Sequence, residues 1–373
     1  MEQELRILVA AGGTGGHLFP ALAVLRAAER MGKVRACFIG RRDRIEGRLV
    51  PALGYEFVAL PLFGLGGWKR LRSYGMPFAV GWSVARVWAY VRVFRPQLIM
   101  TTGAYHGVPA GIVARLCGTP LVVVEVNRKP GRAVRLLARW ADVLATGYEE
   151  TAEVFPERVR RRIHCFGVPV REEFFNVPSA AEARRRLGLQ AERPAVVVLG
   201  GSLGAARLNA VAQRLLPYVE AGVFQLIWQH GERFAVPARL PRGVLARPFF
   251  EDPALVLAAA ECVVARAGGM TIAELCAVGR AALLVPYPGA RDQHQLDNAR
   301  WMEQKGAALC IADDRAELEV PVLLQQLLAD EERRQQMSDA ARRLARPDAA
   351  QQIARLLWNS RGAERCGILS FSC

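Results

Sequence analysis

The chain alternates short apolar runs with glycine-rich turns and amphipathic stretches, which is the pattern of buried parallel strands joined by helices. Leu5–Ala10 is a first strand; Gly12-Gly13-Thr14-Gly15-Gly16-His17 turns the backbone, and Pro20–Leu25 opens a helix with proline in its first turn. Val34–Ile39 and Phe57–Leu60 read as two more strands. Pro96–Met100 is a strand, Thr101–Gly107 a turn, the stretch to Cys117 a helix, and Pro120–Glu125 a strand whose polar end gathers Glu125, Asn127, Arg128 and Lys129. The opening module then recurs: Ala195–Leu199 is followed by Gly200-Gly201-Ser202-Leu203-Gly204 and a helix over Ala205–Leu216. Two such modules half a chain apart predict α/β architecture, with two doubly wound Rossmann-like domains whose glycine turns face each other across a cleft. The boundary falls near Gly167-Val168-Pro169, so the domains span 1–167 and 168–348, and an Arg/Ala-rich helix over 179–187 leads into the second.

The stretch from Val263 to Asn298 is the densest in chemistry. Cys262–Ala265 suits a strand, Gly268-Gly269 a turn without Cβ atoms, and Thr271 with Glu274 a capping box opening a helix that ends at Gly279, before a strand at Leu283–Pro286. A helix N-terminus at the carboxyl end of a parallel sheet offers free N–H groups to an anionic ligand, although the same turn also occurs in α/β enzymes that bind no nucleotide. The Gly12–His17 turn is likewise of the phosphate-cradling type. It is neither a dinucleotide fingerprint, since Leu18 stands where a third glycine would fall, nor a Walker A loop, since no Gly-Lys-Ser/Thr follows.

Composition narrows the class. The 373 residues are 52% hydrophobic, enough for two cores, and the eight cysteines form no CxxC pair, which suits reduced thiols in a cytosolic protein without a zinc site. The N-terminus lacks the basic region and long apolar core of a signal peptide. Residues 1–165 hold 25 Lys and Arg against 12 Asp and Glu, so +13 of the net +15 belongs to the first half. That asymmetry implies a polyanionic partner there, either anionic lipid or nucleic acid, against the plainer reading of a solvated Arg-rich surface. A helix from Pro77 to about Phe94 carries Trp82, Trp88, Tyr90 and Phe94 among arginines. It is too short and too charged to span a bilayer, but with Trp68, Lys69, Arg70 and Arg72 it suits contact with a membrane surface; the alternative is a core helix with a basic rim.

In this order, GGTGGHLFPALAV, GAYHGVPAG, PLVVVEVNRKPG, GVPVR, GGSLGAARLN, ARAGGMTIAEL and DQHQLDNA resemble the MurG family of glycosyltransferases over about residues 5–310. That resemblance implies the two-Rossmann GT-B fold, with a last helix near 349–360 returning to the first domain. It also implies inverting transfer of N-acetylglucosamine (GlcNAc) from UDP-GlcNAc to the C4 hydroxyl of undecaprenyl-diphospho-N-acetylmuramyl-pentapeptide, converting lipid I to lipid II in peptidoglycan synthesis. The enzyme would be peripheral on the cytoplasmic face of the plasma membrane and need no cofactor or metal. Position by position, it implies that Thr14, Gly15, Gly16 and Asn127 face the sugar, that Arg171 and Ser202 serve the diphosphate, and that the backbone of Phe250 faces uracil. Gly269, Met270, Thr271, Ile272, Ala273 and Glu274 would line the nucleotide, with Glu274 on the ribose hydroxyls and Gln295 on the sugar. Leu203, Val168, Val124 and Val126 replace the glutamine, asparagine, histidine and glutamine of the family pattern, which bears on fine specificity more than on reaction class.

Two residues compete as the base that takes the acceptor proton. His17 has an ordinary pKa of about 6.5, whereas an exposed Glu125 near 4.3 is a poor base unless buried. The competing functions are another UDP-GlcNAc enzyme on the same fold, an epimerase or a transferase with a different acceptor, and a nucleic-acid-binding protein suggested by the high pI. Confinement of the basic excess to one half, without a zinc-finger or RNP1-type motif, argues against nucleic acid as the partner.

Overall fold

The computed structural model describes residues 4–60, 76–201 and 204–360. The chain divides into two compact units, the first running to Arg171 and resuming at Asp348, the second spanning Glu172–Pro347. In the first, β1 (Leu5–Ala10), α1 (Gly15–Glu29), β2 (Val34–Gly40), α2 (Ile45–Ala52), β3 (Glu56–Ala59) and α3 (Met76–Phe94) are followed by β4 (Leu98–Thr101), α4 (Gly107–Cys117), β5 (Leu121–Glu125), α5 (Arg132–Leu137), β6 (Val143–Thr146), α6 (Glu157–Arg160) and β7 (Ile163–Cys165). The second holds α7 (Ala180–Arg186), β8 (Ala195–Leu199), α8 (Ala206–Glu220), β9 (Gln225–Gln229), β10 (Val244–Arg247), α9 (Pro253–Ala259), β11 (Cys262–Ala265), α10 (Gly269–Val278), β12 (Ala281–Leu284), α11 (His294–Gln304), β13 (Ala308–Cys310), α12 (Ala316–Ala329) and α13 (Glu331–Leu344). The last helix, α14 (Ala349–Asn359), belongs to the first unit.

Among the described residues, the first sheet has the order β3-β2-β1-β4-β5-β6-β7 and the second β10-β9-β8-β11-β12-β13, with every pairing parallel. The strands are apolar on both faces because helices cover both, and β1, β4, β5, β8 and β11 are almost wholly buried. In each sheet the order reverses beside the first strand, between β1 and β4 and between β8 and β11. At such a switch point the connections leave in opposite directions and open a crevice at the strands' carboxyl ends. The glycine turns after β1, β8 and β11 lie at those ends.

Helix α1 begins at Gly15, because the glycine turn runs straight into it, so Pro20 lies inside the helix and not in its first turn; two elements further along also differ from the sequence reading. Helix α10 starts at Gly269 with Gly268 as its cap, so Thr271 lies inside the first turn and closes no capping box. The backbone passes straight from the glycine pair into the helix, and Thr271 is already past the cap position. The strand expected at Leu283–Pro286 lies at Ala281–Leu284, because the left-handed Gly279 ends α10 and releases the chain at once into the sheet. Helix α7 is capped by Ser179, which accepts from the Glu182 amide. Its buried Arg184 donates to the Ala259 and Ala191 carbonyls and pairs with Glu261, so a helix rich in arginine is tied to the end of α9 and to the loop before β8.

Helix α14 packs its Ala350 and Ala354 on Ala23, Ala27 and Ala28 of α1, small residues that let the two backbones come close. Trp358 closes the contact: its indole N–H donates to the Ala28 carbonyl at 3.0 Å, and a Cβ on Gly32 would lie 2.8 Å from its ring. Replacing Trp358 by Ala should therefore destabilise the first unit by about 2–3 kcal/mol, less than a fully buried tryptophan because the ring is half-buried. Urea unfolding would measure this, and an unchanged midpoint would show that α14 docks without Trp358.

Candidate functional site

In the first unit the site is built on the turn after β1. His17 stands in the first turn of α1, half-buried, with Nδ1 2.7 Å from the Thr102 carbonyl, while the Thr102 hydroxyl donates back to the His17 carbonyl at 2.6 Å. A carbonyl only accepts, so Nδ1 carries the proton in the neutral ring and the basic lone pair lies on Nε2. Thr102 is itself fixed through β4, where the neighbouring Thr101 hydroxyl donates to the Ala10 carbonyl at 2.9 Å. Thr14 is the exposed cap residue of α1 in extended conformation, followed by Gly15 and Gly16. Arg171, the last residue of this unit, lays its guanidinium 4.7 Å over the Phe19 ring.

The Gly12–Gly13 portion of the turn is not an open phosphate cradle. Glu46, fully buried on the first turn of α2, accepts the Gly13 amide on Oε2 at 2.8 Å and the Arg41 amide on Oε1 at 3.0 Å. A Cβ on Gly12 would sit 2.4 Å from the Glu46 carboxyl carbon, and one on Gly40 would sit 2.8 Å from its Cγ. An internal carboxylate thus takes the place of the expected anion. His106, also fully buried, places Nε2 3.6 Å from Glu46 Oε1. Burial, and then the nearby charge of His17, lowers the His106 pKa to about 3, so its ring is neutral.

Glu125 ends β5 with its side chain buried at 3% exposure. Its Oε1 accepts the Asn127 amide at 2.9 Å and the Asn127 side-chain N–H at 3.1 Å, and its Oε2 accepts the Gly131 amide at 3.1 Å. Burial raises its pKa to about 7, removing the objection that its basicity is too low. Both oxygens, however, are directed to the turn that they brace. Asn127 faces this carboxylate.

In the second unit, Met270 and Ile272 are buried, whereas Thr271, Ala273 and Glu274 are half-buried on the first turns of α10. The Asn298 side chain donates to the Ala267 carbonyl at 3.1 Å and fixes the approach to the Gly268–Gly269 turn. Arg266 donates to the Val285 carbonyl at 2.9 Å and to Asp313 at 2.5 Å, and its guanidinium lies 5.4 Å over the half-exposed Tyr287 ring. The Gln295 side-chain oxygen accepts the Tyr287 amide at 2.9 Å. Phe250 is buried, and its amide makes a long 3.4 Å contact with the Gln229 side chain. Ser202 and Leu203 lie outside the described residues; Gly204, which follows them, is closely packed. Left-handed Gly204 would drive a Cβ to 2.4 Å from the His230 carbonyl, and buried Asn209 links that carbonyl to the Trp228 indole at 3.0 and 2.9 Å. Asn209, Glu46, His106 and Thr102 escaped sequence reasoning: each is a polar residue in a helix or turn whose burial follows only from tertiary packing.

Helix α3 buries Ser83, Val87, Val91 and Phe94 on one stripe and exposes Trp82, Trp88 and Val93 on the other, with Arg92 4.9 Å over the Trp88 ring. It is therefore a core helix and also presents an aromatic outer face. Trp68, Lys69, Arg70 and Arg72 lie outside the described residues. Among the described residues no helix is long and apolar enough to cross a membrane, and no group of His, Cys, Asp and Glu could hold a metal ion.

Two doubly wound parallel units in one chain, each opening on a glycine turn at its switch point, are the architecture of the GT-B fold, and the family matches place the chain among the UDP-sugar glycosyltransferases of that fold. Residues 7–146 match the glycosyltransferase family 28 N-terminal domain and residues 195–353 its C-terminal domain. The UDP-N-acetylglucosamine–N-acetylmuramyl-(pentapeptide) pyrophosphoryl-undecaprenol N-acetylglucosamine transferase of Halorhodospira halophila is 37% identical over 89% of this chain and 92% of its own. The transferase of the same name from Xanthomonas euvesicatoria is 38% identical over 96% of this chain and 81% of its own. The crystal structure of Acinetobacter baumannii MurG superimposes with a TM-score of 0.72 at 27% identity, covering 95% of this chain and 99% of that one. The chain belongs to the MurG family of glycosyltransferases.

Glu125 also sets a pH dependence. Its pKa is raised from an ordinary 4.5 to about 7 in the folded protein, so the folded state keeps a proton that the unfolded chain loses. Stability from this group is complete below 4.5 and is lost as pH rises through about 7, a change of about 3 kcal/mol. Glu125→Gln should flatten the urea midpoint against pH over this interval; a slope identical to that of the parent protein would mean that Glu125 ionises normally.

Proposed function

We propose that the protein transfers GlcNAc from UDP-GlcNAc to the C4 hydroxyl of lipid-linked N-acetylmuramyl-pentapeptide with inversion, as the names of its relatives describe for those proteins. The observation that carries the mechanism is the Thr102 carbonyl on His17 Nδ1, which leaves Nε2 as the basic atom. In a single displacement, the acceptor hydroxyl gives its proton to His17 Nε2 as its oxygen bonds to the sugar's anomeric carbon. The bond from that carbon to the diphosphate breaks, and UDP leaves with the electron pair. Thr14, Gly15, Gly16 and Asn127 are assigned to the sugar side, and Arg171 and Ser202 to the charge that develops on the diphosphate. Phe250 is assigned to uracil, Gly269–Glu274 to the nucleotide, with Glu274 on the ribose hydroxyls, and Gln295 to the sugar. Glu125, turned inward onto Asn127 and Gly131, braces this machinery. The scheme calls on no cofactor.

Incubating the purified protein with labelled UDP-GlcNAc and a lipid I analogue tests donor, acceptor and reaction together; absence of a labelled disaccharide product would overturn the proposal. Within it, His17→Ala should lower turnover by about 10²–10⁴-fold with UDP affinity little changed. Glu274→Ala should weaken UDP by about ten- to hundred-fold in calorimetry, the loss of charge-assisted hydrogen bonds, while the fold persists. A folded Glu274 variant with undiminished affinity would leave this carboxylate no role beyond its helix.

The exposed aromatic face of α3 supports docking on the cytoplasmic leaflet, with Trp68, Lys69, Arg70 and Arg72 assigned to the same patch; the reading calls on no nucleic-acid partner. Replacing Trp82 and Trp88 by Ser should release the protein from anionic liposomes while sparing transfer to a short-chain, water-soluble acceptor. Undiminished sedimentation with the liposomes would place the membrane surface elsewhere.

A further inference from the structure

We infer that Glu46 is a built-in anion of the first glycine turn and a positioning residue for His17, an inference that rests on the transferase reading above. A helix N-terminus preceded by glycines normally spends its amides on a ligand's phosphate. Here the Gly13 amide is already spent on a carboxylate from α2, which also binds the Arg41 amide at the end of β2. The fit is reciprocal. Neither Gly12 nor Gly40 could carry a Cβ without striking Glu46, so two separate stretches of chain are shaped around one carboxylate. His106 packs beside the same carboxylate and the turn, with Nε2 3.6 Å from Glu46 Oε1 and Cε1 3.3 Å from where a Cβ on Gly13 would stand. Four residues beyond Gly13, His17 must keep Nδ1 at 2.7 Å from Thr102, a distance that tolerates little drift of the turn. Glu46 thus holds the rear of the turn, Thr102 holds its front, and a substrate phosphate is kept off the Gly13 amide.

Glutamine is nearly isosteric but can accept only one of the two amides and turns a donor toward the other. Glu46→Gln should lower kcat by about ten- to hundred-fold, the range for losing a charge-assisted hydrogen bond, while UDP affinity measured by calorimetry stays within about two-fold. Glu46→Ala should lose more, and added formate, a small carboxylate able to enter the vacated space, should restore part of kcat. Hydrogen exchange in the peptide covering residues 11–19 gives a readout independent of turnover: exchange should be faster in Glu46→Gln and unchanged in the second unit. If the unsubstituted protein transfers no sugar, the transferase reading fails, and exchange alone decides whether Glu46 holds the turn. If it does transfer sugar, and Glu46→Gln keeps its kcat and its protection, or loses UDP affinity in parallel with kcat, the inference is overturned.

Discussion

The structure depends on a shortage of space where the first strand of each unit meets the helix that follows it. In the first unit the missing Cβ atoms of Gly12 and Gly40 make room for the Glu46 carboxylate; in the second, Gly204 lies so close to the His230 carbonyl that any side chain would displace one of them. Glycine here does more than permit an unusual dihedral, since it lets a buried polar group reach backbone that would otherwise be covered. Glu46 and Asn209 then satisfy amides and carbonyls that burial would leave costly. The two turns look alike in sequence, yet their supports differ. The first is backed by a carboxylate and the second by a neutral amide.

Most of the architecture was legible because buried parallel strands are continuous apolar runs and the turns between them are punctuated by glycine. LRILVA, AVVVL and CVVA each mark their strand from composition alone. Boundaries were less legible where two signals compete: Thr271 and Glu274 imitate a capping box, but the preceding glycine pair had already started the helix. His17, Glu125 and Asn127 could be named from their places at turns and strand ends. Ordinary pKa values favoured His17 over Glu125 as the base, but only the hydrogen bonds show which tautomer is fixed and which carboxylate is committed. Glu46 was invisible for a related reason. It sits in the charged stretch RRDRIEGR, where nothing local separates a fully buried acid from its exposed neighbours. His106 offered only a histidine in a turn.

Each histidine and carboxylate at these strand ends is assigned its part by what its neighbours donate or accept. Glu125 receives N–H groups on both oxygens and becomes a brace, and His106 is buried and neutral. His17 has one ring nitrogen pinned by a carbonyl on a half-buried ring. The most direct test of this assignment is long-range ¹H–¹⁵N correlation spectroscopy on histidine-labelled protein near neutral pH, with the His17 signals identified by their loss in a His17 variant. The account predicts a neutral His17 ring protonated on Nδ1, with the Nε2 shift of an unprotonated nitrogen; a ring protonated on Nε2 would contradict it.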